Sequence, residues 1–264
     1  MIREKFLKAA QDYYNNIAGI YRELRTTDSE PVLFIKNLID HLPKIEAADV
    51  GAGSGRYSKL FFDHISEEKL FLNCFDTNEF MLESLEEYLN QHKISNFVTK
   101  IATAEELPLA KETLNAIFCF NAIHHFNMQK FLVECIRVLK KNSLLFIYTR
   151  TKKQSVDNIW GKYFPLYNKK ESRLYETNDF EFILEDISDL KVIDIKTFKF
   201  ERKNSMDELV NRATSKHYSA FTLYDNDEFS RCLDKFKENL YGAFNDMNNI
   251  KWIDEKIMYV IKKD

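Results

Sequence analysis

The chain has 264 residues, 45% hydrophobic and 30% charged, with a formal net charge of -3 at pH 7. That length suits one domain with a sizeable core, and 22 Phe with 13 Tyr argue against disorder. The near-balanced charge excludes a global field toward phosphate backbones or acidic membranes, and the pairs Lys140-Lys141, Lys152-Lys153, Lys169-Lys170 and Arg202-Lys203 read as solvated helix ends and loops.

Met1 to Phe6 is charged and amphipathic, with no signal-peptide stretch behind it, and no apolar run approaches the roughly 18 residues needed to span a bilayer. Cys74, Cys119, Cys135 and Cys232 form no CxxC pair, and three of them sit in apolar segments, where a reduced buried thiol is expected. These features place the protein in the cytoplasm.

In chain order, residues 4 to 25 read as a helix that breaks at Thr26 to Ser29. Ser29 is positioned to cap a second helix with Pro31 in its early turn and Val32, Leu33, Ile35, Leu38, Ile39 and Leu42 as its apolar positions. Pro43 stops it. Strands follow at Ile45 to Val50, Leu70 to Phe75, Phe97 to Ile101, Asn115 to Phe120 and Leu144 to Tyr148. Helices between them cover Tyr57 to Ile65, a segment with Phe80, Met81, Leu85 and Leu89, and Met128 to Leu139. Short apolar strands alternating with amphipathic helices indicate a parallel sheet wrapped on both faces.

Beyond residue 150 the rhythm changes. Residues 151 to 172 read as irregular, with Trp160, Tyr163, Phe164, Pro165 and Tyr167 close together. Glu176 to Ile187 reads as helix and Lys191 to Arg202 as an alternating strand. Ser205 and Glu208 have the spacing of a capping box, a further helix runs near Asp227 to Tyr241, and Trp252 to Ile261 closes as a strand. The expectation is an α/β fold, a doubly wound Rossmann-like seven-stranded sheet with an N-terminal helical flap and a helical insertion before the last strand. It is read as a single domain over 1–264: flap 1–43, core 44–150, and C-terminal strands with a helical cap over 151–264.

Asp49-Val-Gly51-Ala52-Gly53-Ser-Gly55 carries the most chemistry. A strand ends in an acid, three glycines let the backbone turn tightly beside a ligand, and a helix opens. The register is G-x-G-x-G with Arg56 where a dinucleotide fingerprint would place its third glycine. Asp76 closes the next strand, where a carboxylate can accept both hydrogens of a ribose diol. Thr103-Ala104-Glu105-Glu106-Leu107-Pro108 follows the third strand, and Phe120-Asn121-Ala122-Ile123-His124-His125 follows the fourth.

These segments, in this order and spacing, resemble the class I S-adenosylmethionine-dependent methyltransferases, over roughly residues 45 to 150. Within that class the chain looks most like the type 11 small-molecule group, including enzymes similar to trans-aconitate methyltransferase. The resemblance implies S-adenosyl-L-methionine as cofactor, with S-adenosyl-L-homocysteine as product. It places Asp49, Gly51, Ala52, Gly53 and Gly55 in the cofactor floor, Asp76 and Thr77 at the ribose, and Met81, Thr103, Ala104 and Glu105 around adenine. Asn121 and Ala122 would then line the methionine arm, and Glu134 with Arg137 to Lys140 match the following helix. Arg25 is the cation implied for the cofactor carboxylate.

Three departures stand out. Thr103 replaces a frequent Asp, Lys141-Asn142-Ser143 replaces the usual Pro-Gly-Gly turn, and Asn115 replaces the usual Asp opening strand four.

Methyl transfer from a sulfonium needs in-line positioning and exclusion of water, and a base only if the acceptor loses a proton. His124, His125 and His217 are the candidates for that base, each also readable as a wall residue. Tyr14, Tyr21, His125, Trp160 and Tyr218 are the candidates for acceptor contacts, alongside Phe221 and Tyr224, while Tyr13 and Arg22 share the N-terminal helix that the resemblance folds over the cofactor. The expected partner is a small-molecule acceptor of unidentified chemistry, with no membrane. No grouping has metal-ligand spacing, and oligomeric state is open. A tRNA or protein methyltransferase is the first alternative, although scattered basic pairs count against nucleic acid. A non-catalytic cofactor-binding module is the second, and a nicotinamide oxidoreductase is disfavoured by the glycine register.

Overall fold

The computed structural model describes residues 21–185 and 187–264. Of the first expected helix, the described part is α1 (Tyr21–Leu24); Tyr13 and Tyr14 lie outside the described residues. α2 (Glu30–Ile39) carries Pro31 in its first turn as expected and buries Val32, Ile35 and Ile39. Ser29 makes no side-chain cap bond, and Leu33 faces outward at 39% exposure.

Five strands then alternate with three helices: β1 (Ile45–Val50), α3 (Arg56–His64), β2 (Leu70–Asp76), α4 (Glu79–Gln91), β3 (Phe97–Ile101), β4 (Leu114–Phe120), α5 (Met128–Val138) and β5 (Leu139–Thr149). β1 pairs in parallel with β2 and β4, and β2 with β3. Chain order therefore reverses beside β1, and the crevice at the carboxyl ends of β1 and β4 is where such sheets hold ligands. Along β4, Ile117 and Cys119 pack into one apolar cluster while Ala116, Phe118 and Phe120 pack into the other. The period-two alternation of a strand thus sends each set to an opposite covered face.

Two expectations are corrected here. Lys141-Asn142-Ser143 is no turn: it lies within β5, which begins five residues earlier than expected. Asn142 has φ 64 and the β4–β5 register shifts between Leu114 and Ala116, so a bulge does the work of the missing Pro-Gly-Gly. Residues 151 to 172 are not irregular: they form α6 (Lys152–Asp157), α7 (Ile159–Tyr163) and α8 (Tyr167–Lys170). Thr151 and Gln154 make a reciprocal capping box for α6, and Asn158 caps α7. These helices are too short to show a 3.6-residue period, which is why the pattern hid them.

After α9 (Asp179–Glu185) come β6 (Leu190–Asn204), α10 (Met206–Thr214) with the expected Ser205–Glu208 box, α11 (Asn226–Ala243) and β7 (Ile250–Lys263). β7 runs antiparallel between β5 and β6, giving the order β3-β2-β1-β4-β5-β7-β6. The expected seven-stranded, doubly wound sheet with a helical insertion before the last strand is the observed architecture. Two basic pairs sit on strands rather than at solvated ends: Lys140-Lys141 in β5 and Arg202-Lys203 in β6, where Arg202 bonds Asp28.

The insertion packs on α6 to α8 through an aromatic core of its own. Trp160 stacks on Phe236 at 5.3 Å and meets Phe221 edge-on at 5.3 Å, with Phe221 and Phe236 fully buried. Truncating either Phe to Ala costs about 3–5 kcal/mol, so this cluster fixes the helices over the carboxyl end of the sheet. Among the described residues no helix is long and apolar enough to cross a membrane. All four cysteines are free and buried.

Candidate active site

Two cavities open at the carboxyl ends of the strands. The larger, a groove of about 680 Å³, lies over the β1–α3 loop and the ends of β2 to β4. The smaller, an inner cavity of about 350 Å³, lies under α6 to α8, α10 and the start of β7. Tyr21 and Asn121 line both, so the two spaces meet at these side chains.

The groove floor is built by backbone that only glycine adopts without strain. Gly51 has φ +74, and a Cβ there would stand 2.5 Å from the Ala122 Cβ. Gly53 has φ +55, and a Cβ would meet only the Tyr21 ring, at 3.9 Å. Gly51 is thus closed off by packing, while Gly53 leaves its open side to the groove. Gly55 makes the left-handed entry to α3, and a Cβ there would stand 2.7 Å from Leu85 Cγ.

Asp76 ties this loop to β2. Its Oδ2 accepts from the Gly53 N–H at 2.9 Å and its Oδ1 from the Asn78 N–H at 3.0 Å. Burial raises its carboxyl above the ordinary range. The Thr77 N–H also bonds this carboxylate, and its two oxygens, with about four acceptor sites between them, retain capacity for a diol. Asn78 then caps α4 through the Met81 N–H, bringing Met81 to the wall. On the far side, Glu134 accepts from the Leu107 N–H at 2.6 Å while Arg137 holds the Leu107 and Leu109 carbonyls. This clamp fixes the Thr103–Leu109 segment as a rim.

Of the residues expected at the cofactor, Gly51, Gly53, Asp76, Thr77, Met81, Thr103, Ala104, Glu105, Asn121 and Ala122 line the groove together. Asp49, Ala52, Gly55 and Arg25 do not. Asp49 is buried beneath the loop, with Oδ2 bonded to Ser58 at 2.7 Å and Oδ1 without a partner; burial lifts its carboxyl to about 7. Arg25 lines the inner cavity, 4.9 Å over the Tyr21 ring and 4.7 Å over the Tyr218 ring. Its neighbour Arg22 reaches the loop instead, donating to the Ser54 carbonyl at 3.1 Å and to Ser84 Oγ at 2.8 Å.

The candidate acceptor and base residues divide between the two spaces. His125 lines the groove; His124, His217, Trp160 and Tyr218 line the inner cavity. Tyr14 lies outside the described residues. Burial drives all three histidines toward the neutral form, His125 down to about 3, with neighbouring arginines adding to the effect. His217 is further held by a 2.9 Å contact from Nδ1 to the Arg212 carbonyl.

Sequence reasoning missed the charged group at the back of the inner cavity. Lys256 is 9% exposed and donates to Asn121 Oδ1 at 2.7 Å. Burial, aided by Arg150, lowers its ammonium to about 7. Asp254, two residues before it on β7, bonds Arg150 and accepts from Asn158 Nδ2 at 2.7 Å. The available signal was a pair of opposite charges at i and i+2 in the closing strand, hence on one face.

The methyltransferase domain family model matches residues 48–147. An uncharacterized methyltransferase, YcgJ, of Bacillus subtilis (strain 168) is 30% identical over 97 residues, 36% of each chain. A second curated relative, from Dictyostelium discoideum, is matched over 49% of its length, so the chain spans less than half of the curated relatives it matches. The solved YcgJ structure superposes with a TM-score of 0.65 at 16% identity, over 89% of this chain and 99% of that one. The geranyl diphosphate C-methyltransferase of Streptomyces coelicolor A3(2), solved with Mg2+, geranyl-S-thiolodiphosphate and S-adenosyl-L-homocysteine, gives 0.54 at 10% identity, over 89% and 76%. At those identities the likeness is one of fold. Residues 48–147, the span that matches the methyltransferase domain family model, carry the glycine loop, Asp76 and the groove rim.

Proposed function

We propose that the chain transfers a methyl group from S-adenosyl-L-methionine in the groove to a small molecule in the inner cavity. One observation carries this reading: a glycine-floored groove and a second cavity meet at Asn121 and Tyr21. A two-substrate transfer needs such a junction, with each reactant held on its own side.

The donor set supports the cofactor. Asp76 offers carboxylate lone pairs for a ribose diol, Thr103 and Ala104 offer a polar edge and backbone for adenine, and Met81 gives an apolar wall. Asn121 and Ala122 border the amino-acid arm. A relative of the same fold binds S-adenosyl-L-homocysteine. Bound in the groove, S-adenosyl-L-methionine supplies an electrophilic methyl group.

The chain's own residues supply position, cover and a proton acceptor. The helices over the inner cavity cover one side of a bound acceptor. Lys256 is the base in this reading, in preference to the histidines, which burial and positive neighbours make weak proton acceptors. A neutral Lys256 spends one N–H on Asn121 and keeps its lone pair for an acceptor proton.

A cavity of about 350 Å³ suits a metabolite rather than a folded RNA or protein. Four free thiols and the absence of a spanning helix among the described residues support a cytoplasmic setting. The first test is calorimetric titration with S-adenosyl-L-methionine and, separately, S-adenosyl-L-homocysteine. Micromolar binding of both is expected. Failure of both would remove the cofactor assignment, and binding without turnover across an acceptor screen would favour a non-catalytic module.

A further inference from the structure

The inner cavity holds a charge that its own walls do not balance. Besides Lys256, read above as the neutral base, six cationic and four acidic side chains line it, in a chain whose formal net charge is -3. The buried acids are already engaged. Asp28 bonds Arg202 at 2.6 Å, Asp254 serves both Arg150 and Arg202, and Glu171 pairs with Arg173, which lies outside the lining. Glu201 is exposed at the rim. Arg212 makes no ion pair among the described residues.

Arg150 sharpens the point. It is 7% exposed, and Nη2 donates to Asp254, yet its buried Nε has no hydrogen-bond partner. A buried cationic N–H without an acceptor is costly, and such groups persist where something else completes them. The histidines report the same field: after burial, positive neighbours including Arg25 push His124, His125 and His217 toward neutrality.

We propose that the acceptor carries an oxyanion, a carboxylate or a phosphate, that docks against the cationic lining of this cavity, with Arg150 and Arg212 as its partners. Arginine suits either group because its planar fork matches two oxygens. This inference rests on the assignment of the inner cavity as the acceptor site.

The test uses the full chain saturated with S-adenosyl-L-homocysteine, so that the groove is filled, and titrates it with inorganic phosphate, succinate and neutral succinamide. One anion should bind at least about tenfold more tightly than succinamide, and Arg212→Gln should weaken that anion about tenfold. The same variant should leave S-adenosyl-L-homocysteine affinity within about twofold, because Arg212 lies outside the groove. Preference for phosphate or succinate identifies the oxyanion. Arg150→Gln should weaken binding more, and if that chain fails to fold, the half-buried Arg212 decides. Succinamide binding as tightly as the anions, or anion binding unchanged in Arg212→Gln, overturns the proposal. Failure of S-adenosyl-L-homocysteine to bind is read separately and bears on the cofactor assignment; the anion titrations are then run on the unsaturated chain.

Discussion

Lys256 Nζ reaches Asn121 Oδ1 at 2.7 Å, joining β7 to the end of β4 across 135 residues of sequence. Asn121 holds a left-handed φ of 54, and its backbone N–H donates to the Tyr148 carbonyl at 2.7 Å. That conformation is unusual for a residue other than glycine and marks a site held by its surroundings. Here it turns one side chain to the boundary of both cavities.

Lys256→Met should lower methyl transfer to an identified acceptor by about a hundredfold or more, with S-adenosyl-L-homocysteine affinity within about twofold. In the wild type, rate should rise with pH through about 7, where Lys256 becomes neutral; a profile flat across that range in both proteins rejects the base. Stability gives an independent reading. The folded value lies below the ordinary 10.5, so the unfolded chain binds the extra proton between about 7 and 10.5. The wild type should therefore lose stability relative to Lys256→Met as pH falls through that window, by a few kcal/mol at most, and the gap should level off below pH 7.

Asp76→Ala should weaken S-adenosyl-L-homocysteine binding by at least about tenfold. Since Asp76 also accepts the Gly53 and Asn78 N–H groups, lost affinity alone could reflect a loosened loop. A 2′,3′-dideoxy analogue separates the two: the wild type should discriminate against it about tenfold, and Asp76→Ala should not discriminate. Equal discrimination by both proteins would place the diol elsewhere.

Gly51→Ala and Gly53→Ala should fail in different ways. Both place a side chain at positive φ, worth about 1–2 kcal/mol. At Gly51 the new Cβ also meets Ala122 at 2.5 Å, so its thermal midpoint should fall further. At Gly53 there is room in the fold, and the methyl projects toward the groove beneath Tyr21, so affinity for S-adenosyl-L-homocysteine should suffer more than stability. Thermal melts and calorimetry of the two variants check the crossing pattern.

The groove was legible in the sequence because its parts are local. Gly51 to Gly55, Asp76 and Thr103 to Glu105 each sit where a strand ends, and a parallel sheet aligns strand ends automatically. The inner cavity was not, because it forms from segments that meet only after β7 inserts between β5 and β6. Arg150, Arg212 and Lys256 are far apart in sequence, and charges within a strand read as solvent-facing until the partner face is known. Trp160 looked like either wall or core, and it serves as both: it lines the cavity and stacks on Phe236. Arg22 and Arg25 could not be told apart from helical spacing, since which guanidinium reaches the Ser54 carbonyl depends on how α1 lies on the glycine loop.

Asp49→Asn should stabilise the protein at neutral and alkaline pH. Asp49 is 1% exposed, its Oδ1 has no partner, and its one side-chain bond comes from Ser58. Burial lifts its carboxyl from the ordinary 3.8 to about 7, with Asp76 adding a smaller push. A raised carboxyl means that the folded chain binds the extra proton between those values, so stability is full below about pH 4 and declines as pH rises toward 7. Asparagine keeps an acceptor oxygen for the Ser58 hydroxyl and carries no charge to desolvate, so it escapes that decline. The variant should match the wild type near pH 4 and exceed it above pH 7, by on the order of 1–4 kcal/mol. Guanidinium melts at the two pH values measure the difference. An Asn variant that is equally destabilised at both would show that the site requires the carboxylate itself, and would turn attention to a bound cation or ammonium group facing Oδ1.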